Sequence, residues 1–353
     1  MKKMLSLVAI AWAVAINIQA QSSTVATLNH NDTITSFYGY SALQEAHAAA
    51  VDGDVITLSA GSFGATNISK GITLRGAGMG VGDTAEPTVI VGNFTVNVSG
   101  LDGVNKKLSF EGIYSNNNLY FYRGGTGSYD SRTYWNISFV KCRFNYLKTE
   151  DYSDYNNTWE GRAILQNAVF LHCYIMNGFA FHYSTNCSFI NCYIRKPGIS
   201  SSAVFDFQNC VIWDDEGRNF IQNSTFTNSI IYSTTTDTNH KFNANNTAKN
   251  CVVINDSINV LDNISDTSNK FVTSLADVFK NFRGTYADNI TFELTDAAKT
   301  QYLGMDGTQV GIYGGDFAFD PAPSTPRITK CVVAPKSTAD GKLKVTITVS
   351  ATE

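Results

Sequence analysis

Three polar residues, Arg162, His182 and Arg218, have the types and the spacing that β-elimination on a uronic acid sugar would need. Such a reaction takes a base beside the C5 proton and a cation that stabilises an enolate-like intermediate. The intervals are 182 − 162 = 20 and 218 − 182 = 36 residues, which suit one and two copies of the repeat described below. They are candidate catalytic residues of a polysaccharide lyase, although three polar residues on an exposed sheet also arise by chance.

Hydrolysis by paired carboxylates finds less support in the sequence. Asp214, Asp215 and Glu216 form the one acidic cluster of this kind, and it lacks the partner residues that a two-carboxylate mechanism needs. A solvated turn between strands explains the cluster more simply.

Aromatic residues are concentrated in two stretches, near residues 114–136 and 145–161, that lengthen the repeat and are interpreted as insertions. Aromatic faces beside amides and carboxylates suit sugar rings, and binding residues concentrate on loops held by a rigid scaffold. We expect these stretches to bind extracellular polysaccharide. The alternative, in which the rings fold onto the outer sheet as a minor core, stays open. The expected ligand-binding residues are Tyr120, Tyr122, Tyr134, Trp135, Tyr152, Tyr155 and Trp159.

An internal repeat indicates the elements that must position these residues. Similar segments recur at 139–144, 170–175, 189–194, 207–212 and 226–231, with a weaker copy at 248–253. The steps between equivalent positions are 192 − 173 = 19, 210 − 192 = 18 and 229 − 210 = 19 residues, which is the length of one β-solenoid turn. Shorter apolar segments continue the spacing towards the N-terminus, at 55–58, 72–74, 89–91 and 108–110.

The residue pattern inside each copy predicts a bend between two strands. A cysteine and the aliphatic residue two positions later share one strand face, but a phenylalanine three positions before the cysteine breaks the alternation. Asparagine tolerates the left-handed conformation of such a bend, and stacked amides could form a ladder along the repeats. The predicted bend residues are Asn191, Asn209, Asn228 and Asn250. The fold class is therefore predicted to be all-β, a right-handed parallel β-helix in which the stacked cysteines stay free thiols.

Both ends of the repeat array are predicted to be capped. Residues 41–50 suit a short N-terminal capping helix with Ser41 as N-cap, whereas 274–282 suit a short helix that is followed by a strand at 290–294. Residues 321–353 are predicted to form a proline-rich linker and a β-hairpin with strands 328–333 and 343–349. This hairpin is too small for a core of its own, so it should dock on the solenoid or on a partner.

An outward row of side chains next to the cysteine positions includes apolar residues that would be unfavourable in water. We expect an insertion or the C-terminal hairpin to cover them. The row contains Arg143, Tyr174, Tyr193, Arg195, Trp213 and Tyr232, together with Val211, Ile230 and Val252.

The first residues predict export. Lys2 and Lys3 precede an apolar stretch at 4–18 that is too short to span a bilayer, and a signal peptide is expected to occupy 1–20. The β-helix would then occupy 21–320, and the protein would be extracellular, on the cell surface or periplasmic. Formal net charge is −4 and no basic run is present, which disfavours nucleic acid as a partner. No metal-ligand spacing is apparent and no cofactor is expected.

Several N-terminal segments resemble the pectin-lyase-like right-handed β-helix superfamily of secreted proteins. The similar residues lie at 43–46, 53–58, 60–63 and 72–76, and residues 306–314 are similar to the last coil of many bacterial members. The resemblance covers about 35–319. It implies the fold but not the activity, because the superfamily includes lyases, polygalacturonases, tailspike-like binders and adhesins. The Gly-His-Gly signature of the polygalacturonase-like members is absent. The chain could therefore be a polysaccharide-binding protein, a polysaccharide lyase, or a structural or adhesive surface protein.

Overall fold

The computed structural model shows an all-β chain with long parallel sheets. It describes residues 24–82, 86–125, 130–149, 151–153, 159–181, 183–199, 203–214, 221, 223–234, 246–255, 266–285, 287, 290–323, 327–333, 338, 340–342 and 345–350. The expected leader, 1–20, lies outside these ranges. In this part of the chain, no helix has both the length and the apolar character that crossing a membrane requires.

Two large sheets contain most of the strands. The first sheet contains β1 (Val25–His30), β2 (Thr33–Tyr38), β3 (Val55–Leu58), β6 (Thr73–Arg75), β9 (Ser109–Glu111), β11 (Arg132–Trp135), β12 (Ser138–Val140), β14 (Asp151–Ser153), β15 (Trp159–Gln166), β16 (Val169–Leu171), β19 (Thr185–Ile190), β22 (Val204–Gln208), β24 (Thr225–Thr227) and β26 (Thr247–Lys249). The second sheet contains β4 (Gly61–Gly64), β5 (Asn67–Ile68), β7 (Thr88–Val91), β8 (Phe94–Val96), β10 (Ile113–Phe121), β13 (Arg143–Thr149), β17 (Tyr174–Ile175), β18 (Phe179–Phe181), β20 (Tyr193–Arg195), β21 (Pro197–Ile199), β23 (Val211–Asp214), β25 (Ile230–Ser233), β27 (Val252–Ile254) and β28 (Lys270–Val272). The chain alternates between the two sheets, and most strands pair in parallel with their counterparts one repeat away. This arrangement is compatible with a β-helix.

The predicted phenylalanine positions stack in register in the first sheet. Phe139 pairs with Phe110 and Phe170, and Phe170 pairs with Phe189. The centroids of Phe170 and Phe189 are 4.4 Å apart with an interplanar angle of 5°. The stack continues through Phe207 to Phe226. The strand register that was inferred from the spacing of the repeat is therefore confirmed.

The predicted bends are also confirmed, because Asn191, Asn209, Asn228 and Asn250 have φ between 50° and 52°. Lys141 and His172 occupy the equivalent positions of the two preceding repeats with φ of 53° and 55°. These six residues are called the bend column. A left-handed backbone is uncommon for lysine, whereas histidine adopts it more often than most residues do.

The amide ladder predicted for the bend column is wrong. Asn191 Nδ2 donates instead to the carbonyls of Ile312 and Gly314, at 2.8 Å each. The side-chain oxygen of Asn228 accepts from the Met305 N–H at 3.0 Å. Asn191 and Asn228 therefore bind a later part of the chain rather than their neighbours in the bend column.

Six cysteines are buried free thiols in the described residues: Cys142, Cys173, Cys192, Cys210 and Cys251, each directly after a residue of the bend column, and Cys187 on β19. Ser229 takes the equivalent place in one repeat, and its oxygen accepts from the Cys210 N–H at 3.0 Å. Burial raises the pKa of Cys187 and of Cys251 to about 12, so both stay protonated at neutral pH. The cysteines thus serve as small apolar core residues.

The outward apolar row on the second sheet is covered, and among the described side chains the cover comes from a segment that the sequence did not indicate for this role. The cover comes from residues 275–319, which include helices α2 (Leu275–Val278) and α3 (Asp296–Gln301). Trp213 is 1% exposed and stacks on Tyr232, and its ring centroid lies 4.2 Å from that of Phe282 in an edge-on arrangement. The strand expected at 290–294 is reduced to a single bridge between Phe279 and Leu294. The chain thus forms a second apolar layer outside the repeats, which the periodicity of the repeats did not predict.

Residues 304–323, called the return segment, run back along the bend column towards the N-terminal repeats. His172 Nε2 lies 2.9 Å from the Phe317 carbonyl, and Lys141 Nζ lies 2.9 Å from Asp320 Oδ2. Burial opposes ionisation of Asp320, but the hydrogen bonds from Lys141 and from the Ala322 N–H, together with the charge of Lys141, outweigh it and lower the pKa of that carboxyl group. Residues 306–314, which are similar to the last coil of many bacterial members, thus lie along the repeats in this structure.

Helix α1 (Ala42–Ala49) and the hairpin of β1 and β2 form the N-terminal cap. Leu43 and Ala46 of α1 are fully buried in the main core, which confirms the predicted helix. Ser41 precedes α1 but makes no side-chain capping bond. Strand β1 pairs antiparallel with β3, and the sequence pattern did not predict this hairpin.

Acid is expected to destabilise this cap through His47. Burial first, and then the charge of Lys70, lower the pKa of His47 to about 4. An unfolded histidine takes up a proton below about pH 6.5, so stability should be lost as pH falls from about 6.5 to about 4, by up to ~3 kcal/mol. Urea unfolding of the wild type and of His47→Gln at neutral pH and near pH 4.5 measures this. Equal losses of stability in the two proteins would contradict it.

The C-terminal hairpin is confirmed as two antiparallel strands, β29 (Arg327–Val333) and β30 (Val345–Ser350). Strand β29 begins one residue earlier than predicted, and β30 begins two residues later. That the hairpin docks on the repeats or on a partner stays a prediction.

Candidate functional site

The candidate site is built on the strands that follow the second-sheet strands within each repeat. These strands are called the third row: β5, β8, the C-terminal halves of β10 and β13, β18 and β21. Tyr120 pairs with Thr95 on one side and with Lys148 on the other. Their strand neighbours Leu119 and Leu147 are fully buried in the core. Alternation along the strand therefore directs Tyr120 and Lys148 outwards.

Side-chain amides border this row at the point where the chain, in each repeat, passes from the second-sheet strand into the third row. Asn118 Nδ2 donates to Asn93 Oδ1 at 3.3 Å, and Asn177 Nδ2 donates to Asn145 Oδ1 two repeats further on. Such amide pairs leave further donor and acceptor positions for hydroxyl groups of a ligand.

Tyrosine rings hold cations in fixed positions at this surface. Lys148 Nζ lies 4.6 Å from the ring centroid of Tyr146, within the range of a cation–π interaction. Tyr146 pairs with Asn118 in register, so the ring, the ammonium group and the amides lie together. This set of Asn93, Asn118, Tyr120, Asn145, Tyr146, Lys148 and Asn177 is called the third-row face. Its rings, ammonium group and amides are groups that can bind a ligand.

A second such pair lies after the third row. The guanidinium carbon of Arg162 lies 3.5 Å from the ring centroid of Tyr183. The backbone N–H of Arg162 donates to Ser131 Oγ at 3.0 Å. Arg162 is thereby oriented by a ring and by its backbone. The other two candidate catalytic residues, His182 and Arg218, lie outside the described residues, so the proposed elimination site cannot be assembled from Arg162 alone.

Tyr134 was expected to bind ligand, and the structure corrects this expectation. Its side chain is 0% exposed, packs on the edge of Phe121 and donates from its hydroxyl to the carbonyls of Val96 and Tyr122. The ring is therefore part of the core, and its hydroxyl ties the following turn to the third row.

The other expected aromatic residues are separated in the structure. Tyr120 lies on the third-row face, and half-buried Tyr122 lies beyond the end of its strand, donating to the Gly125 carbonyl at 3.0 Å. Trp135 is 38% exposed but lies on β11, where it pairs with Gln166 rather than with the third row. Tyr152 lies on β14 and Trp159 at the start of β15, and of these two residues the backbone alone is described, whereas Tyr155 lies outside the described residues.

The two stretches that were interpreted as insertions are partly regular strand. Strand β10 extends through Phe121 and β13 through Thr149, and both pair in parallel with neighbouring repeats. Sequence reasoning therefore missed Tyr146 and Lys148 as a pair. Their separation by two residues, next to the strand that contains Tyr120, was the signal that could have found them.

The outer face of the first sheet has a different character, with hydroxyl and aliphatic side chains. Ser109 and Ser138 hydrogen-bond across strands at 2.7 Å, and Val169 is 39% exposed. Asp206 lies between Ser188 and Thr225 in register, and burial raises its pKa. Arg162, with its ring partner Tyr183, lies elsewhere on this sheet, so the comparison surface for the third-row face is limited to Ser109, Ser138, Val169 and Asp206.

Comparisons with protein-family models, with curated proteins and with solved structures find no match to this chain. In the described ranges, no group of three or more His, Cys, Asp or Glu side chains is placed to hold a metal ion. The geometry of the third-row face is therefore the basis for inferring a function.

Proposed function

We propose that this chain is an exported right-handed parallel β-helix, of the pectin-lyase-like kind, that binds extracellular polysaccharide on its third-row face. The observation that carries the proposal is the grouping of Tyr120, Tyr146 and Lys148 beside paired asparagine amides. Ring faces suit the apolar C–H faces of sugars, and amides suit their hydroxyl groups.

The parallel strands supply the spacing for an extended ligand. Neighbouring strands lie about 4.8 Å apart, so binding groups on successive repeats recur at a distance similar to the length of a sugar unit. A row of groups at this spacing favours a polymer over a small molecule, because several sugar units can bind at once. Lys148 adds a fixed positive charge that favours carboxylated or sulfated units.

Loss of Tyr120 and Lys148 should weaken binding. Polysaccharides that bind on a glycan array are titrated against the wild type and against the double variant Tyr120→Ala/Lys148→Ala by calorimetry. We expect Kd to rise about tenfold or more, which corresponds to ~1.4 kcal/mol or more of binding free energy. The reason is that the variant loses both a ring face and the cation beside it.

Trp135→Ala is the matched control, because it removes an exposed ring that lies away from the third row. Its Kd should stay at the wild-type value. A larger loss of affinity in Trp135→Ala than in the double variant would place binding elsewhere. If incubation with an acidic polysaccharide produced the absorbance of unsaturated uronate, and Arg162→Ala abolished it, the protein would be a lyase and not only a binding protein.

A further inference from the structure

Strand β2 is the terminal strand of the first sheet, and no described strand pairs with its outer edge. In the described part of the chain it pairs only with β1, through a two-residue turn at Asn31 and Asp32. Both turn residues have positive φ, of 49° and 62°, as in a type I′ turn. Residues that flank such a turn form a hydrogen-bonded pair, so Thr33 and every second residue after it face β1.

The alternate residues of β2 therefore point their amide groups towards the open edge. These residues are Ile34, Ser36 and Tyr38. Two of them are also strongly exposed through their side chains, Ile34 by 68% and Tyr38 by 64%. Phe37, on the opposite strand face, packs against the main core. The edge thus presents unpaired backbone groups together with exposed apolar side chains.

Charge distinguishes this edge from the opposite end of the repeat array. Strand β2 contains no charged residue, whereas the last strands of the two sheets, β26 and β28, contain Lys249 and Lys270. Both lysines are exposed. Charged side chains, especially lysine, are a common means of preventing edge-to-edge pairing. The C-terminal end has this protection and the N-terminal end lacks it.

We infer that β2 pairs with β2 of a second copy of this chain, antiparallel and centred on Ser36. In that register Ile34 pairs with the partner subunit's Tyr38, and Ser36 pairs with its own counterpart. All the outward amide groups then fall in hydrogen-bonded pairs, because each outward-facing residue meets another outward-facing residue. The strand is self-complementary, as an interface across a two-fold axis requires.

A second copy fits this edge better than an unrelated strand. Pairing of two uncharged strands brings no like charges together, and it places the aliphatic Ile34 against the aromatic Tyr38 twice. Aromatic and β-branched residues opposite one another stabilise antiparallel strands. The first sheets of two copies would become continuous, with their N-terminal caps together and their lysine-bearing ends apart. This inference does not depend on the proposed function, although two copies of the third-row face would increase avidity.

Sedimentation velocity tests the inference on the full chain lacking only the expected leader, 1–20. The wild type should sediment with twice the mass of one chain at micromolar concentration. Ser36→Pro should sediment as a monomer, because proline removes an outward N–H that β1 does not use. Ile34→Lys should also be monomeric, because the charge protects the edge. Val51→Lys, which changes another exposed aliphatic residue, should stay dimeric.

Circular dichroism and the melting temperature show whether Ser36→Pro and Ile34→Lys keep the fold. A monomeric wild type would overturn the inference, and so would a dimer that persists in both folded variants. A monomer whose Ile34, Ser36 and Tyr38 amides resist hydrogen exchange would also overturn it, because another segment of the same chain would then cover the edge.

Discussion

Replacing Phe170 by alanine is expected to lower the free energy of unfolding by about 3–5 kcal/mol. Phe170 is fully buried and stacks between Phe139 and Phe189, with centroid distances of 4.7 and 4.4 Å. The substitution removes a ring from the middle of a continuous stack, and the paired strands on both sides limit how far the cavity can collapse. Urea unfolding monitored by circular dichroism measures the loss.

Phe317→Ala is the control for this prediction. Phe317 is 69% exposed, so its replacement should change the free energy of unfolding by less than about 1 kcal/mol. Similar effects of the two substitutions would show that the stacked rings do not form a well-packed core.

Replacing Trp213 by alanine is expected to cost a similar amount, about 3–5 kcal/mol, for a different reason. Trp213 belongs to the outer layer, where it stacks on Tyr232 with centroids 3.7 Å apart and contacts Phe282. Its loss should loosen residues 275–319 from the second sheet. Hydrogen exchange should therefore accelerate in this segment more than in the strands beneath it.

Trp135→Ala provides the matched control for Trp213→Ala, because Trp135 is 38% exposed whereas Trp213 is 1% exposed. Its effect on stability should be below about 1 kcal/mol. If Trp213→Ala left the exchange of residues 275–319 unchanged, the outer layer would not depend on this contact.

The sequence predicted the parallel strands and their register because the repeat supplied two independent constraints. Each phenylalanine, asparagine and cysteine had to occupy the same position in every repeat, and the broken alternation required a bend. The φ values of Asn191 and Asn209 and the stacking of Phe189 on Phe207 agree with both constraints. Strand alternation is a local property, and it can be derived from a single sequence.

The return segment could not be predicted in this way, because it has no repeat and binds through its backbone. Ile312 and Gly314 contribute carbonyl oxygens to Asn191, which a side-chain pattern does not encode. Lys141 and His172 were the residues in the sequence that could have indicated the return segment. They replace asparagine at a left-handed position, and the structure shows that both instead bind residues 317–322.

The candidate site was predicted in part, through Tyr120, and the error at Tyr134 has a clear cause. Tyr134 lies two residues before Asn136, a bend residue with φ of 54°, as buried Leu165 lies two residues before Asn167. Residues at this position face the core, and tyrosine can be buried there because its hydroxyl finds carbonyl partners. Aromatic composition alone did not distinguish a core ring from a surface ring.

Chemical labelling of lysines in the presence of a polysaccharide tests the proposed binding face most directly. Lys148 lies on the third-row face, whereas exposed Lys249 lies on the first sheet. Mass spectrometry after acetylation, with and without a polysaccharide that binds on the array, measures the modified fraction of each residue. We expect bound polysaccharide to protect Lys148 strongly and to leave Lys249 unchanged. Unchanged labelling of Lys148, or protection of Lys249 instead, would contradict binding at the third-row face.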